Sequence, residues 1–409
     1  MSVVRLPMII ALLIAIFLGS TSTLFVVAKF CGLPLGTSLW VDKENISKGY
    51  VLVSPYYGGT QFSEPGRIHL IDENGAIRHT WTSRYTTLIS YLQQDDHLFV
   101  GMTPPLNIND YPSGGSMGII QELDWNSEVL WEYKDLKMTH DFEVMPDKSI
   151  AYIRWHEASP LFASRVRGGM QLATTSVWTN EIVVVNRGKN IVWSWLPDDH
   201  LDPVDYVLNP LIARNDWAHM NSIRYVPENP LTKTPAFLVS ARNISTVFLI
   251  EYPSGKILWQ SPKDMFALQH DATLVAEGRI LVFDNGLLRK QPKTYVASRV
   301  VEVDPNTNEI TWTYDGGKSG LEKIQFASNI MSGAQRLENG NTLISASMLN
   351  TLLEVTPDGS VAWKYTNDFR DEAGRMHVIF KARKYPAGAR WEQALDSVAP
   401  GAQLCAAIR

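Results

Sequence analysis

Three stretches of this chain open with a histidine and then run through apolar residues to a turn. They are "THDFEVMPDKSI" with His140, "AHMNSIRYV" with His219 and "QHDATLVAEGRI" with His270. His140 lies ten positions before Ile150, and His270 lies ten before Ile280. His219 heads a copy whose turn is lengthened by "ENPLTKTPA". The segments that answer these stretches end in polar residues, Arg242 in "LVSARN" and Asp284 in "LVFDN". Asn221, two residues after His219, shares its side of a strand. "DDHLDP" adds His200 between acidic neighbours. Such a set suits several chemistries. Three histidines on one rim match a zinc site with an open position. A His/Arg/Asn cluster without carboxylates suits an oxyanion such as sulfate or phosphate. A histidine oriented by a neighbour is also a nucleophile. The plain alternative is that the two "HD" pairs, 140–141 and 270–271, are satisfied structural pairs. Three histidines at one level, with Arg242 beside them, weigh toward a site.

The elements that must hold these residues repeat. Six apolar–turn–apolar units end in tryptophan, at Trp81, Trp131, Trp193, Trp259, Trp312 and Trp363. Each alternates apolar and polar residues around Asp, Asn, Gly or Pro, the pattern of a β-hairpin. A second hairpin pattern precedes each, beginning with "YVLVSPYY" (50–57) and "LISYLQQDDHLFVG" (88–101) and ending with "GAQRLENGNTLISAS" (333–347). Two hairpins per period, six times over, predict an all-β fold: a six-bladed β-propeller of four-stranded blades. A β-sandwich needs no fixed period, and period-2 alternation excludes a helical solenoid. First strands line the channel of a propeller, so the three histidines are expected at its mouth, with Leu88 and Gly333 at the matching place in blades two and six. Residues 156–180 and 195–217 are long insertions on the channel side of the histidine-bearing blades, the length at which loops become lids or binding loops. The strand at 376–385 has no hairpin partner after it and is expected to complete a sheet edge or to pack beneath the propeller.

The net charge of −5 gives no nucleic-acid footprint. Residues 7–28 carry no charge and are long enough to cross a bilayer as a helix. The expected organisation is a signal-anchor or signal peptide at 1–30, a linker at 31–47, the propeller at 48–385 and a C-terminal tail at 386–409. This places the propeller outside the cytoplasm on a membrane anchor, or in secreted form if the segment is cleaved. The two cysteines, Cys31 and Cys405, suffice for one disulfide and for no framework.

In the combination and order of "DWAHMNS", "SARN" and "LQHDA", together with "HDFEVMPDKSI" and "DHLDP", residues 45–385 resemble the arylsulfate sulfotransferase (ASST-type) family of β-propeller enzymes. The resemblance implies transfer of a sulfuryl group from an aryl sulfate donor to a phenolic or other hydroxyl acceptor, through a transient sulfohistidine. It implies no nucleotide donor, no cofactor and no metal. Carried over by motif, His270 is the nucleophile. His219, Asn221 and Arg242 bind the sulfuryl group or act as acid and base. His140 is the remaining catalytic histidine, and His200 joins the substrate-binding set. The chain lacks room for the N-terminal β-sandwich of the large family members, which leaves assembly, including a homo-oligomer, open. Two rival readings stand beside this one. A non-catalytic, membrane-tethered scaffold of the cell envelope predicts no clustered nucleophile. A quinone-dependent oxidoreductase needs acidic calcium ligands at the channel, and "DPNTNE" (304–309) reads as an outer turn.

Overall fold

The computed structural model describes residues 38–56, 64–105, 112, 114–172, 176–289, 297–317, 320–370, 374–392 and 395. The apolar run 7–28 and both cysteines lie outside these residues. Among the described residues, no helix is long and apolar enough to cross a membrane.

Six antiparallel sheets form a ring, as the repeat predicts, five of four strands and one of four with an added fifth. Blades 2 to 6 take their strands in chain order. Blade 3 is 138–144, 150–157, 178–185 and 191–195; blade 4 is 220–226, 236–241, 246–251 and 257–260; blade 5 is 270–274, 280–284, 299–304 and 309–314. The first strands of blades 3 to 6 lie side by side along the channel. Central strands such as Trp178–Val185 are buried along their whole length, whereas the outermost strand of blade 3, Ile191–Trp195, is mostly exposed. The outer hairpin of every blade turns through one left-handed residue: Gly75, Ser127, Lys189, Gly255, Asn308 and Gly359. Glycine fills half of these places because it bears no steric cost there. Asp72 and Asp124 close their turns by accepting backbone N–H groups two and four residues on.

The repeated tryptophans bolt each blade to the next. The indole Nε1 of Trp131 donates to Arg187 O (3.1 Å), Trp193 to Pro253 O (2.7 Å), Trp259 to Asn308 Oδ1 (2.8 Å), Trp312 to Pro357 O (2.8 Å) and Trp363 to Glu73 O (2.8 Å). Every acceptor lies in the outer hairpin turn of the following blade. Blade 1 is the exception: Trp81 packs edge-on against Trp125, and neighbouring His79 Nε2 bonds Trp125 O at 3.0 Å.

At the chain ends one reading changes and another is made definite. "YVLVSPYY" is not a hairpin. Gly49–Val53 is the second strand of blade 1, and its channel-side neighbour is Arg383–Pro386, from the segment read as having no hairpin partner. A period read along the chain does not reveal that one blade is shared between its two ends. Within the 31–47 segment, Ser38–Val41 forms a fifth strand on the outer edge of blade 6. In the tail, Trp391 is buried against Tyr50 and Trp125.

Candidate active site

The histidines gather at one end of the channel, the end where each first strand begins. His140 and His270 are buried, at 3% and 4% exposure, and the rings of His140 and His219 lie 4.5 Å apart. His140 (φ 60°) and His219 (φ 50°) have left-handed backbone, a conformation that costs a non-glycine residue about 1–2 kcal/mol. Such strain gathers where a site is over-determined by its surroundings. Gly115 covers His140 so closely that a Cβ there would sit 2.5 Å from Nε2, so only glycine fits.

The three histidines are not equivalent positions, contrary to the expectation from the repeat. Asp141 accepts the backbone N–H of Ile223, Ser222 accepts that of Ala272, and Asp271 accepts that of Ala334. These bridges stitch blade 3 to 4, 4 to 5 and 5 to 6 at one repeated place. Counting back one residue aligns His140 with Asn221 and His270, and leaves His219 two residues earlier. The lengthened turn of the His219 copy hid this offset. Asn221 donates its amide to Gln269 O at 2.8 Å, the carbonyl just before His270. Its buried Oδ1 has no hydrogen-bond partner among the described residues.

Each ring has its Nδ1 tied back to the protein. Thr139 Oγ1 donates to Gly114 O (3.0 Å), so it accepts from His140 Nδ1–H at 2.6 Å. Asp216 Oδ2 takes His219 Nδ1–H at 2.5 Å. Asn285 donates its amide to Ser328 O (2.6 Å) and Met331 O (3.1 Å), which turns its Oδ1 to His270 Nδ1–H at 2.7 Å. The proton is thereby assigned to Nδ1, and His270 keeps an Nε2 lone pair that receives only a long 3.2 Å contact from Met331 N–H. Burial holds both His140 and His270 well below the usual histidine pKa. Among nearby charges, His219 adds most to this for His140, and Arg242 for His270. Both rings are neutral near pH 7.

Arg242 is half-buried, and its backbone N–H is bonded to His219 O at 3.0 Å. Its guanidinium donates to Asn243 Oδ1 at 2.7 Å and, among the described residues, forms no ion pair. Burial lowers its pKa, partly offset by Asp216. A cation with no ion-pair partner among the described residues, its charge only partly balanced by Asp216 and set beside the neutral His140 and His270 rings, suits an anion. Among the described residues, no three His, Cys, Asp or Glu side chains converge as metal ligands.

Beneath the histidines the channel is filled by ions. Asp141 is held by Lys381 (2.8 Å), Arg224 (3.0 Å) and the Tyr91 hydroxyl (2.6 Å). Asp271 is held by Lys381 (3.1 Å) and by a two-pronged Arg383 contact (2.9 and 2.7 Å). The aspartates of the two "HD" pairs are therefore structural, and Asp271 holds no ring. Sequence reasoning missed Asp216 and Asn285, the residues that set two tautomers; the quoted "DWAHMNS" and "LVFDN" contained both. His200 is not part of the cluster. It stacks on Trp195 (4.9 Å, 6°) beside Gly255 in the outer turn of blade 4.

The two insertions pair with each other, Gly168–Met170 running parallel to Leu208–Ala213, and form a cap whose return segment carries Asp216 to His219. A cavity of about 1350 Å³ opens beside the cluster between blades 4 and 5. Its lining contains no histidine, but includes Asn243, next to Arg242, and Leu268, two residues before His270.

The arylsulfotransferase (ASST) family model matches residues 107–368. That span contains every residue of the cluster. No curated protein sequence matches the chain. Among solved structures, a protein of unknown function from Bacteroides caccae is 13% identical, with 83% of this chain and 99% of that one aligned at a TM-score of 0.49. A streptogramin B lyase is 9% identical, covering 85% and 98% at 0.44. Apo AztD from Citrobacter koseri is 8% identical, covering 83% and 99% at 0.43.

Proposed function

Because the chain belongs to the arylsulfotransferase family, we propose that it moves a sulfuryl group from an aryl sulfate to a hydroxyl acceptor, with His270 carrying the group between them. The observation that supports this best is a neutral, Nδ1-anchored His270 within electrostatic reach of Arg242, whose guanidinium forms no ion pair among the described residues. In the first half-reaction, His270 Nε2 attacks sulfur in line. The N–S bond forms, the S–O bond to the aryl group breaks, and its electron pair leaves on the phenolate oxygen. His219, oriented by Asp216, gives that oxygen a proton. In the second half-reaction, His219 takes the proton of the incoming hydroxyl. The oxygen attacks sulfur, and the N–S electrons return to His270.

Arg242 offers two parallel donors to the sulfuryl oxygens throughout, and transfer of this loose kind is helped mostly by positioning and charge. Met331 N–H must give up Nε2 during attack, and its 3.2 Å contact is weak enough to yield. His140, tied to Thr139 and packed on His219, positions that ring. The cavity beside Asn243 provides room for an acceptor larger than a simple phenol.

The test incubates the purified protein with a chromogenic aryl sulfate, with and without phenol. Phenol-dependent release of the chromophore is expected. Its absence overturns the reading and leaves the scaffold alternative.

A further inference from the structure

The large apolar side chains left exposed on this propeller are unevenly placed. Eighteen are exposed among the described residues; eleven lie in the connections at the histidine end, seven on outermost strands, and none in the turns at the opposite end. Single exposed apolar residues need no explanation, but a one-sided collection does. The most exposed belong to the cap: Leu161 at 73%, Leu211 at 70% and Val207 at 60%. Met348 and Leu349, in a short 3-10 turn of blade 6, lie at the same end.

A second observation concerns where the chain enters the ring. Ser38–Val41 runs antiparallel to Val361–Thr366, with Ser38 opposite Thr366. Thr366 is the histidine-end terminus of its strand, so the chain preceding Ser38 also arrives at the histidine end. That preceding chain contains the uncharged run 7–28. The nine residues between Ala28 and Ser38 span at most about 30 Å when extended.

We propose that the histidine end of the propeller docks on a lipid bilayer surface, with Leu161, Val207 and Leu211 inserted at the headgroup boundary. Apolar side chains on a polar scaffold bind membranes in this interfacial manner, and a tether joined at the same end keeps the face within reach. The surface adjoins the cavity beside Asn243, which Val207 also lines, but the proposal does not rest on the transfer chemistry.

The test uses the full chain with Cys31→Ser and Cys405→Ser, carrying one environment-sensitive probe on L211C at the histidine end or on E228C in an opposite turn. The protein is reconstituted in phosphatidylcholine vesicles with or without brominated acyl chains. Blue-shifted emission and at least threefold stronger bromolipid quenching are expected at 211 than at 228; equal quenching at the two sites overturns the proposal. A probe on M348C should lose most of its quenching when L161E, V207E and L211E are combined, while the protein stays with the vesicles; quenching that survives also overturns it. If the 211 probe is unquenched and its emission follows protein concentration, the face pairs with a second copy and the bilayer assignment falls.

Discussion

At the residue scale, the candidate site is a set of tautomers held in place. His270→Ala should abolish turnover together with any acid-labile sulfo-adduct, and retained turnover moves the nucleophile to His219 or His140. Asn285→Ala leaves the nucleophile in place but frees its ring. A fall in kcat of about 10–100-fold with little change in KM is expected, on the scale seen when orienting partners of functional histidines are removed. Steady-state kinetics with saturating acceptor checks this. The depressed histidines also set a pH dependence. Folded His140 and His270 resist protonation, and His69 is lowered by burial to about 4, whereas the unfolded chain protonates near 6.5. The unfolded state thus binds more protons as pH falls below about 6.5. Stability should drop by about 1.4 kcal/mol per pH unit for each such histidine until its folded pKa is reached. Denaturant unfolding between pH 7 and pH 5 measures the slope, and the His140→Gln/His270→Gln double variant should flatten it. The histidines and Arg242 were legible in the sequence because motif and strand position travel together along the chain. Asp216 and Asn285 were not singled out, because which nitrogen of a ring bears the proton is decided by neighbours in space.

At the scale of elements, the recurring tryptophan explains why the period survives uneven insertions. Five of the six indoles span a blade boundary with a hydrogen bond and a large apolar face. Trp259→Phe removes the bond to Asn308 while keeping an aromatic ring. It should cost about 1–2 kcal/mol, measured by urea unfolding, with transfer activity intact. Removing an ion from beneath the histidines should do more. Lys381, 1% exposed, touches both Asp141 and Asp271. Lys381→Met leaves carboxylates short of a buried partner, and breaking such an arrangement costs about 3–5 kcal/mol. It also removes a cation that helps depress His140 and His270, so the acid limb of the activity profile should move to higher pH. Six Trp-ended hairpins were readable because hairpins are local, and their order along the chain is their order around the ring. The two-residue offset that makes Asn221, not His219, the counterpart of His140 was hidden by the lengthened turn of that copy and by bulges in the first strands. A bulge changes register without changing the apolar pattern.

At the scale of the whole molecule, the ring is closed by pairing Arg383–Pro386 with Gly49–Val53. Sequence periodicity counted six blades and left this strand to complete a sheet edge or to pack beneath the ring; which sheet it completes was not legible, because closure joins residues more than three hundred positions apart. The same short segment carries Lys381 and Arg383, the cations that hold Asp141 and Asp271 in the channel. Both aspartates directly follow a candidate catalytic histidine. During synthesis, the histidines, their orienting partners and Arg242 all leave the ribosome long before these two cations do. Until residues 381–386 are made, blade 1 lacks its inner strand and, of these cations, only Arg224 faces the two channel carboxylates. A chain cut before Lys381 is therefore expected to leave the ring open and to lose two of the cations beneath the candidate site.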